Sequence, residues 1–363
     1  MRVAVVGLGL IGGSLALAAS ARGDQVAAAD SDPEAGRIGL ERGAIGRFDD
    51  SLEGALQDAE LAFVCGPVGE LVALTRAVLE AAPDGCVVSD VGSTKGRLVE
   101  RVGAEPRFVG GHPVCGSEAR GVAKARPELF DGATWFLTPV AETDPQAHRR
   151  VHSFVSGLGA RPVAIDADAH DRLVALTSHL PHALANVLVN QAGAGKVDGH
   201  DPLAAVGGSF RDMTRVAGAN PRIWVDIFLD NREALLDGLR DHGRRVDDLV
   251  RALEREDAGF VARWIAEASG HRRRLLEVAY PAVPEELYRV RVHVPDRPGV
   301  FSGITQALGA EGINIEDFEL HHVSADRGGT VVITVAGEAE AQRAVALLDE
   351  LGYGAIASAA VDG

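Results

Sequence analysis

Cysteine is scarce in this 363-residue sequence: Cys65, Cys86 and Cys115 are odd in number and lack close pair spacing. That excludes a disulfide framework and a cysteine-based zinc site, and leaves reduced thiols. Runs of lysine or arginine are missing as well, and the densest basic cluster, Arg272, Arg273 and Arg274, reads as a solvated helix face. With a formal net charge of -16, the chain repels nucleic acid and anionic membranes, so neither is expected as a partner. Long apolar runs are also lacking. The N-terminal "MRVAVVGLGLIGGSLALAA" is punctuated by glycines that mark a strand and a helix start, and no stretch reaches the roughly 18 uninterrupted apolar residues of a membrane span. A cytoplasmic location is the expectation.

What is present is a globular composition, 46% hydrophobic and 24% charged, long enough for two or three domains. The first half alternates β-rich apolar runs with helical patterns: "RVAVVGL" then "GGSLALAASA", "QVAAAD" then "PEAGRIGLERG", "ELAFVCG" then "VGELVALTRAVLEAA". Alternation of this kind predicts a parallel sheet covered on both faces, an α/β doubly wound domain over residues 1–166. From Asp168 the pattern becomes helical without strand signals, which predicts an all-helical second domain over 167–280. Its apolar surface is large, which points to a homodimer. Pro281 and Pro284 mark a linker at 281–287. Residues 288–363 then read β-α-β-β-α with room for a closing strand, a ferredoxin-like α+β unit.

Several motifs carry chemistry. Gly7, Gly9 and Gly12, with Leu10 and Ile11 between them, form G-x-G-x-x-G directly after a strand and at a helix start. Gly7 allows the tight turn, Gly9 lets the backbone approach a pyrophosphate, and Gly12 permits close helix–strand contact, the pattern of a Rossmann-like dinucleotide site. Asp30 ends the second strand, where its carboxylate can accept from a ribose 2′-hydroxyl and repel a 2′-phosphate; NAD is therefore expected over NADP. "DVGSTKG" puts Ser93, Thr94 and Lys95 at the rim of the sheet, with Ser93 either reaching the nicotinamide end or capping the next helix.

His112, in the loop-like "GGHPVCGSEARGV", can accept or share the proton of an alcohol that gives up hydride. Zinc is the competing reading, but it needs three or four ligands, and of histidine and cysteine this loop has His112 and Cys115 alone, so no metal is expected. In "TSHLPHAL", Ser178 and His182 share a helix face, with His179 off it, and anion binding is the expectation. "GGSFRDMTRVAG" sets Asp212 and Arg215 one turn apart, where the aspartate can orient a guanidinium for carboxylate capture, or the two can form a routine surface pair.

Taken together and in this order, "GLGLIGGSLA", "DVGSTKG", "GGHPVCGSEARGV", "LTSHLPHALA" and "GGSFRDMTRVA" resemble the prephenate and arogenate dehydrogenase family of tyrosine biosynthesis. The C-terminal "VPDRPGVFSGITQALGAEGINIEDFEL" looks like an ACT domain, a regulatory module. The resemblance implies NAD-dependent oxidative decarboxylation of prephenate to 4-hydroxyphenylpyruvate. It implies that Ser93 and His112 contact the ring hydroxyl, and that Arg215 binds a carboxylate with Asp212 and Glu118 as ionic neighbours. Ser178, His182 and Trp224 would line the pocket, and Ser117 would stand beside Glu118. Cys115 departs from the pattern, either as an oxidation-sensitive thiol or as inert packing.

Arogenate is the alternative substrate, and Glu118 could favour its ammonium. An amino-acid sensor with an inactive dehydrogenase is a further alternative, opposed by the presence of Ser93, His112 and Arg215. A β-hydroxyacid or imine dehydrogenase of the same plan would need a lysine on the first helix of the helical domain, and none lies between Asp168 and Gln191. In the ACT unit, Asp296, Gly299 and Asn314 are candidates for an amino-acid effector site, with tyrosine as the expected effector, while His321 and His322 read as plain strand residues.

Overall fold

The computed structural model describes residues 1–115, 119–279, 286–295, 297–324 and 328–360. Most of the expected linker, together with Ser117, Glu118 and Asp296, lies outside the described residues. The chain divides into two compact units, Met1–Gly243 and Arg244–Gly363.

The first unit opens with β1 (Arg2–Val6), α1 (Leu10–Ala21), β2 (Gln25–Ala29), α2 (Pro33–Glu41), β3 (Arg47–Phe48) and α3 (Leu52–Leu56). It continues through β4 (Leu61–Val64), α4 (Leu71–Ala81), β5 (Val87–Asp90), α5 (Gly96–Val102) and β6 (Phe108–Pro113). Then come β7 (Thr134–Thr138), α6 (Pro145–Gly157) and β8 (Arg161–Ala164). These strands make one eight-stranded sheet in the order β3-β2-β1-β4-β5-β6-β7-β8. Along β1, Val3 and Val5 face one core, with Leu15, Phe63, Trp135 and Phe154, while Ala4 and Val6 face the other, with Leu56, Val78 and Leu98. Side chains alternate across a strand, so a run that is apolar at every position is what a sheet buried on both faces requires.

The expectation of a wholly parallel sheet is corrected at one edge, where β7 runs antiparallel to β6 and parallel to β8. The reason lies in the β6–β7 connection, which among the described residues forms no crossover α-helix and instead folds back over α1: Arg126 N donates to Ser14 Oγ at 3.0 Å, and Arg42 donates to the carbonyls of Val122 and Ala125. A connection that returns on the same side delivers the next strand antiparallel. His112 likewise sits on β6 itself, paired with Phe136, and not on a loop.

The helical part begins with α7 (Ala167–Val174), followed by a π-helical turn at Ala175–His179 and α8 (Leu180–Gly193). Pro181 explains the widened turn, because it has no N–H to give to residue 177 and its ring crowds that carbonyl. Next come α9 (Gly208–Thr214), a 3-10 turn at Arg215–Gly218, α10 (Pro221–Asp230), α11 (Arg232–Glu254) and α12 (Ala258–Ala279). Among the described residues, no helix is long and apolar enough to cross a membrane.

In the second unit, β9 (Leu287–Val294), α13 (Val300–Ala310), β10 (Asp317–Ser324), β11 (Gly328–Ala336), α14 (Glu338–Glu350) and β12 (Ala355–Ala359) follow the expected ferredoxin-like order. The antiparallel sheet β10-β11-β9-β12 packs Val290, Val292, Ile333 and Val335 against Ile304, Leu308, Ala344 and Leu348.

Gly12 tests how tightly the first turn is built. A Cβ there would lie 1.9 Å from the carbonyl oxygen of Gly7, which itself has φ +101°. Gly12→Ala is expected to cost about 1–3 kcal/mol in urea unfolding. Gly9→Ala, whose Cβ would meet nothing within 4 Å, is expected to stay within about 0.5 kcal/mol of the parent.

Candidate active site

At the C-terminal end of β1, the glycine turn leads into α1, whose N-cap is Gly9 with no side-chain cap. The first amides of a helix lack intrahelical acceptors, and here they stand ready for an anion. The open space around Gly9 and the close Gly7–Gly12 approach fit a pyrophosphate. Asp30 is pinned at the end of β2: Leu8 N donates to Oδ2 at 2.5 Å and Asp32 N to Oδ1 at 2.8 Å. Its carboxylate is thereby held at the rim where a ribose would lie, and Leu10 and Ile11 flank the same turn half-buried. These features fit a dinucleotide.

Ser93 follows β5 and is half-buried, whereas Thr94 donates to Asp230 Oδ2 on α10 at 2.7 Å. Neither residue caps α5. That role belongs to a residue from the helical part: Asp171 on α7 accepts Lys95 N on Oδ1 and Gly96 N on Oδ2, both at 2.8 Å. Lys95 is corrected from a rim residue to a fully buried one, paired with Asp90.

α7 brings two residues to His112 that the motifs alone do not reveal. His112 Nδ1 lies 2.8 Å from His170 Nε2, and His170 Nδ1 lies 2.8 Å from Asp171 Oδ1. An ionised carboxylate only accepts, so His170 carries its proton on Nδ1 and presents a lone pair at Nε2. His112 must then donate from Nδ1, which leaves its own Nε2 as a free acceptor. His170 is wholly buried, edge-on to both His112 and Phe136. Burial holds His112 well below the usual imidazole range, and the nearby His170, Lys95 and His179 push in the same direction.

From Asp171 the network continues. Asn231 Nδ2 donates to the carbonyl of Asp171 at 2.8 Å and approaches His179 Nδ1 at 3.1 Å. His179 is therefore an acceptor at Nδ1, consistent with a pKa that burial pushes down to about 4. Its ring meets Trp224 edge-on, and Trp224 in turn stacks on His182 with centroids 3.5 Å apart. His182 Nδ1 donates to the carbonyl of Ser178 at 3.0 Å, so its Nε2 is also an acceptor. Burial lowers its proton affinity, the Ser178 bond opposes this, and the charge of Arg215 adds to the lowering.

Arg215 opens the 3-10 turn after α9, and that turn packs on α8. Asp212 lies on α9, so the two expected partners straddle a change of helix type instead of sharing one continuous face, and both are exposed. The structure thus gathers Ser178, His182, Trp224 and the charge of Arg215 into one cluster and links it through His179, Asn231, Asp171 and His170 to His112. The dipeptide His170-Asp171 at the start of the helical part is the signal that could have pointed to the relay. Cys115 lies half-buried against the sheet core, and burial pushes its thiol up to about 12, which favours the packing reading over a reactive thiol.

In the ACT-like unit, Gly299 takes a left-handed φ of +90° at the N-cap of α13, and Asn314 Nδ2 donates to Glu316 Oε1 at 2.6 Å.

Comparison with known proteins is consistent along the chain. Residues 14–164 match the prephenate dehydrogenase nucleotide-binding domain, 166–267 the prephenate dehydrogenase dimerization domain, and 288–352 the ACT domain. Among solved structures, the arogenate dehydrogenase of Synechocystis is 30% identical with a TM-score of 0.69, covering 76% of this chain and 100% of that one. The prephenate dehydrogenase of A. aeolicus, in complex with hydroxyphenyl propionate and NAD+, is 28% identical with a TM-score of 0.71, covering 76% and 98%. The prephenate dehydrogenase of Bacillus subtilis (strain 168) is 33% identical over 351 residues, 94% of each chain. Since the family models match from residue 14 to residue 352 and the Bacillus likeness covers 94% of the chain, the chain belongs to the prephenate dehydrogenase family.

Proposed function

We propose that this protein is an NAD-dependent oxidoreductase that oxidatively decarboxylates prephenate to 4-hydroxyphenylpyruvate. The observation that carries the reading is the His112–His170–Asp171 chain, which leaves His112 Nε2 as an acceptor at the C-terminal end of β6, the same end of the sheet as the nucleotide turn. NAD, when bound at the Gly7–Gly12 turn and Asp30, supplies the hydride acceptor. The chain's own residues orient the ring hydroxyl and hold its proton. Ser93 and His112 Nε2 contact that hydroxyl, and His112 accepts the proton as hydride leaves the carbinol carbon. Departure of CO2 from the para position makes the ring aromatic, and His112 returns the proton to the phenolate oxygen. Arg215 takes a substrate carboxylate, with Asp212 and Glu118 as ionic neighbours, Ser117 beside Glu118, and Ser178, His182 and Trp224 lining the pocket.

A second reading, arogenate, is favoured by His182, whose Nε2 is an acceptor and suits the ammonium that replaces the keto group. The proposed division is a nucleotide-binding domain at 1–166, a helical domain at 167–280, a linker at 281–287 and a regulatory domain at 288–363. Tyrosine is the proposed effector, taken up at Asp296, Gly299 and Asn314. Exposed Leu176, Val187, Ile223 and Leu229 support a homodimer through the helical domain.

Two measurements check this reading. Purified protein is expected to turn over prephenate with NAD and to lose about 10–100-fold in kcat/KM in Arg215→Gln, chiefly through KM; no turnover of prephenate or arogenate with NAD or NADP ends the proposal. The relay is read by pH. Because His112 is held below 6.5 in the folded protein, its acceptor form persists as pH falls, and the acid limb of kcat/KM is expected below pH 6.5. His170→Leu removes the acceptor at His112 Nδ1 and should cost about 10–100-fold in kcat/KM. His170→Gln, which can accept from His112 and donate to Asp171, should recover part of that loss.

A further inference from the structure

Beneath Ser93 and His112 lies a charged pair to which the proposed chemistry gives no part. Asp90 ends β5, Lys95 precedes α5, and both side chains are wholly buried and in direct contact. The carboxylate does more than meet the ammonium. Its Oδ2 accepts Gly92 N at 2.7 Å, and its Oδ1 accepts Gly111 N at 2.9 Å. Gly92 is the residue before Ser93, and Gly111 is the residue before His112.

The β5–β6 ladder itself ends earlier, at Ser89 paired with Val109. Beyond that point one side chain replaces the ladder. Gly111 can come so close only because it lacks a Cβ, which would lie 2.6 Å from the carbonyl oxygen of Asp90.

We propose that Asp90 and Lys95 are positioning residues for the reaction: the carboxylate sets the spacing of Ser93 and His112 by holding the amides that precede them, and the ammonium holds that carboxylate in place. This deepens the functional reading and rests on its assignment of Ser93 and His112. Burying an ion pair is seldom a gain in stability, since neutral packing of the same volume often does as well. A pair kept under two reactive side chains is better explained by position. The ammonium also has an electrostatic reach. Among the described residues, the charged and titratable groups facing His112 are His170 from α7, backed by Asp171, His179 from the π turn, and Lys95 with Asp90 from the β5–α5 turn. Lys95 disfavours protonation of His112, whereas Asp90 without its partner would favour it.

The test uses the full-length protein with 13C-labelled histidine, following the His112 resonance assigned by its loss in His112→Gln. In Lys95→Met the His112 resonance is expected to titrate at higher pH than in the parent. The acid limb of kcat/KM should move with it, by about tenfold in rate per pH unit, while KM for NAD stays nearly constant. An unchanged His112 titration in folded Lys95→Met overturns the proposal.

Lys95→Met leaves a buried carboxylate unpaired and can fail to fold. The double variant D90N/K95M then carries the test, because it removes both charges of the pair and leaves neither unpaired. An amide oxygen takes the place of only one of the two carboxylate oxygens, so one backbone N–H loses its acceptor. We expect kcat to fall about tenfold or more, with NAD-induced thermal stabilisation retained; a parent-like kcat overturns the proposal. The titration does not depend on turnover. A parent inactive on both substrates therefore fails the functional reading alone, and the NMR result still decides the role of the pair.

Discussion

The carboxylate of Asp171 is the joint on which this molecule's chemistry turns. It comes from the first helix of the helical part, yet it caps α5 of the sheet part through the amides of Lys95 and Gly96. Those amides would otherwise be orphans at a positive helix end, so the bonds are charge-assisted and directional. The same Oδ1 atom meets His170 and fixes which nitrogen of that ring holds a proton. One group therefore joins two layers of structure and sets the tautomer of the residue behind His112. Thr94 and Asp230 add a second tie between the β5 turn and α10.

A consequence is the electrical state of the cluster. His112, His179 and His182 are each held below the ordinary imidazole range, with burial the leading cause in every case. Neutral imidazoles can accept protons or hydrogen bonds without competing for an anionic substrate. In the proposed reaction the positive charge offered to a carboxylate is then concentrated at Arg215, which matters in a chain whose overall charge of -16 repels anions. The buried Lys95 is no rival for that role, because its charge is spent on Asp90.

Much of this could be read directly along the chain. Strand–helix alternation, the glycine turn with Asp30 and the ferredoxin-like order of the C-terminal unit are local signals, carried by side-chain periodicity and by residues a few positions apart. His112 was legible as a candidate for the same reason, standing among glycines in "GGHPVCGSEARGV", although its place on β6 and not in a loop was not. The reversed β7, the π turn before Pro181, and the burial of Lys95 were not, since each depends on what packs against the segment and not on its own pattern.

The composition and local patterns of this protein thus determined its elements, its nucleotide turn and the kinds of side chain available for chemistry. Tertiary structure alone decided which of them meet. His112 and His170 are 58 residues apart, and Lys95 and Asp171 are 76 apart. No periodicity encodes a hydrogen bond across such a separation. It forms because burying the sheet brings α7 against α5, β7 and the end of β6, where a polar group must find a partner or bear the cost of desolvation.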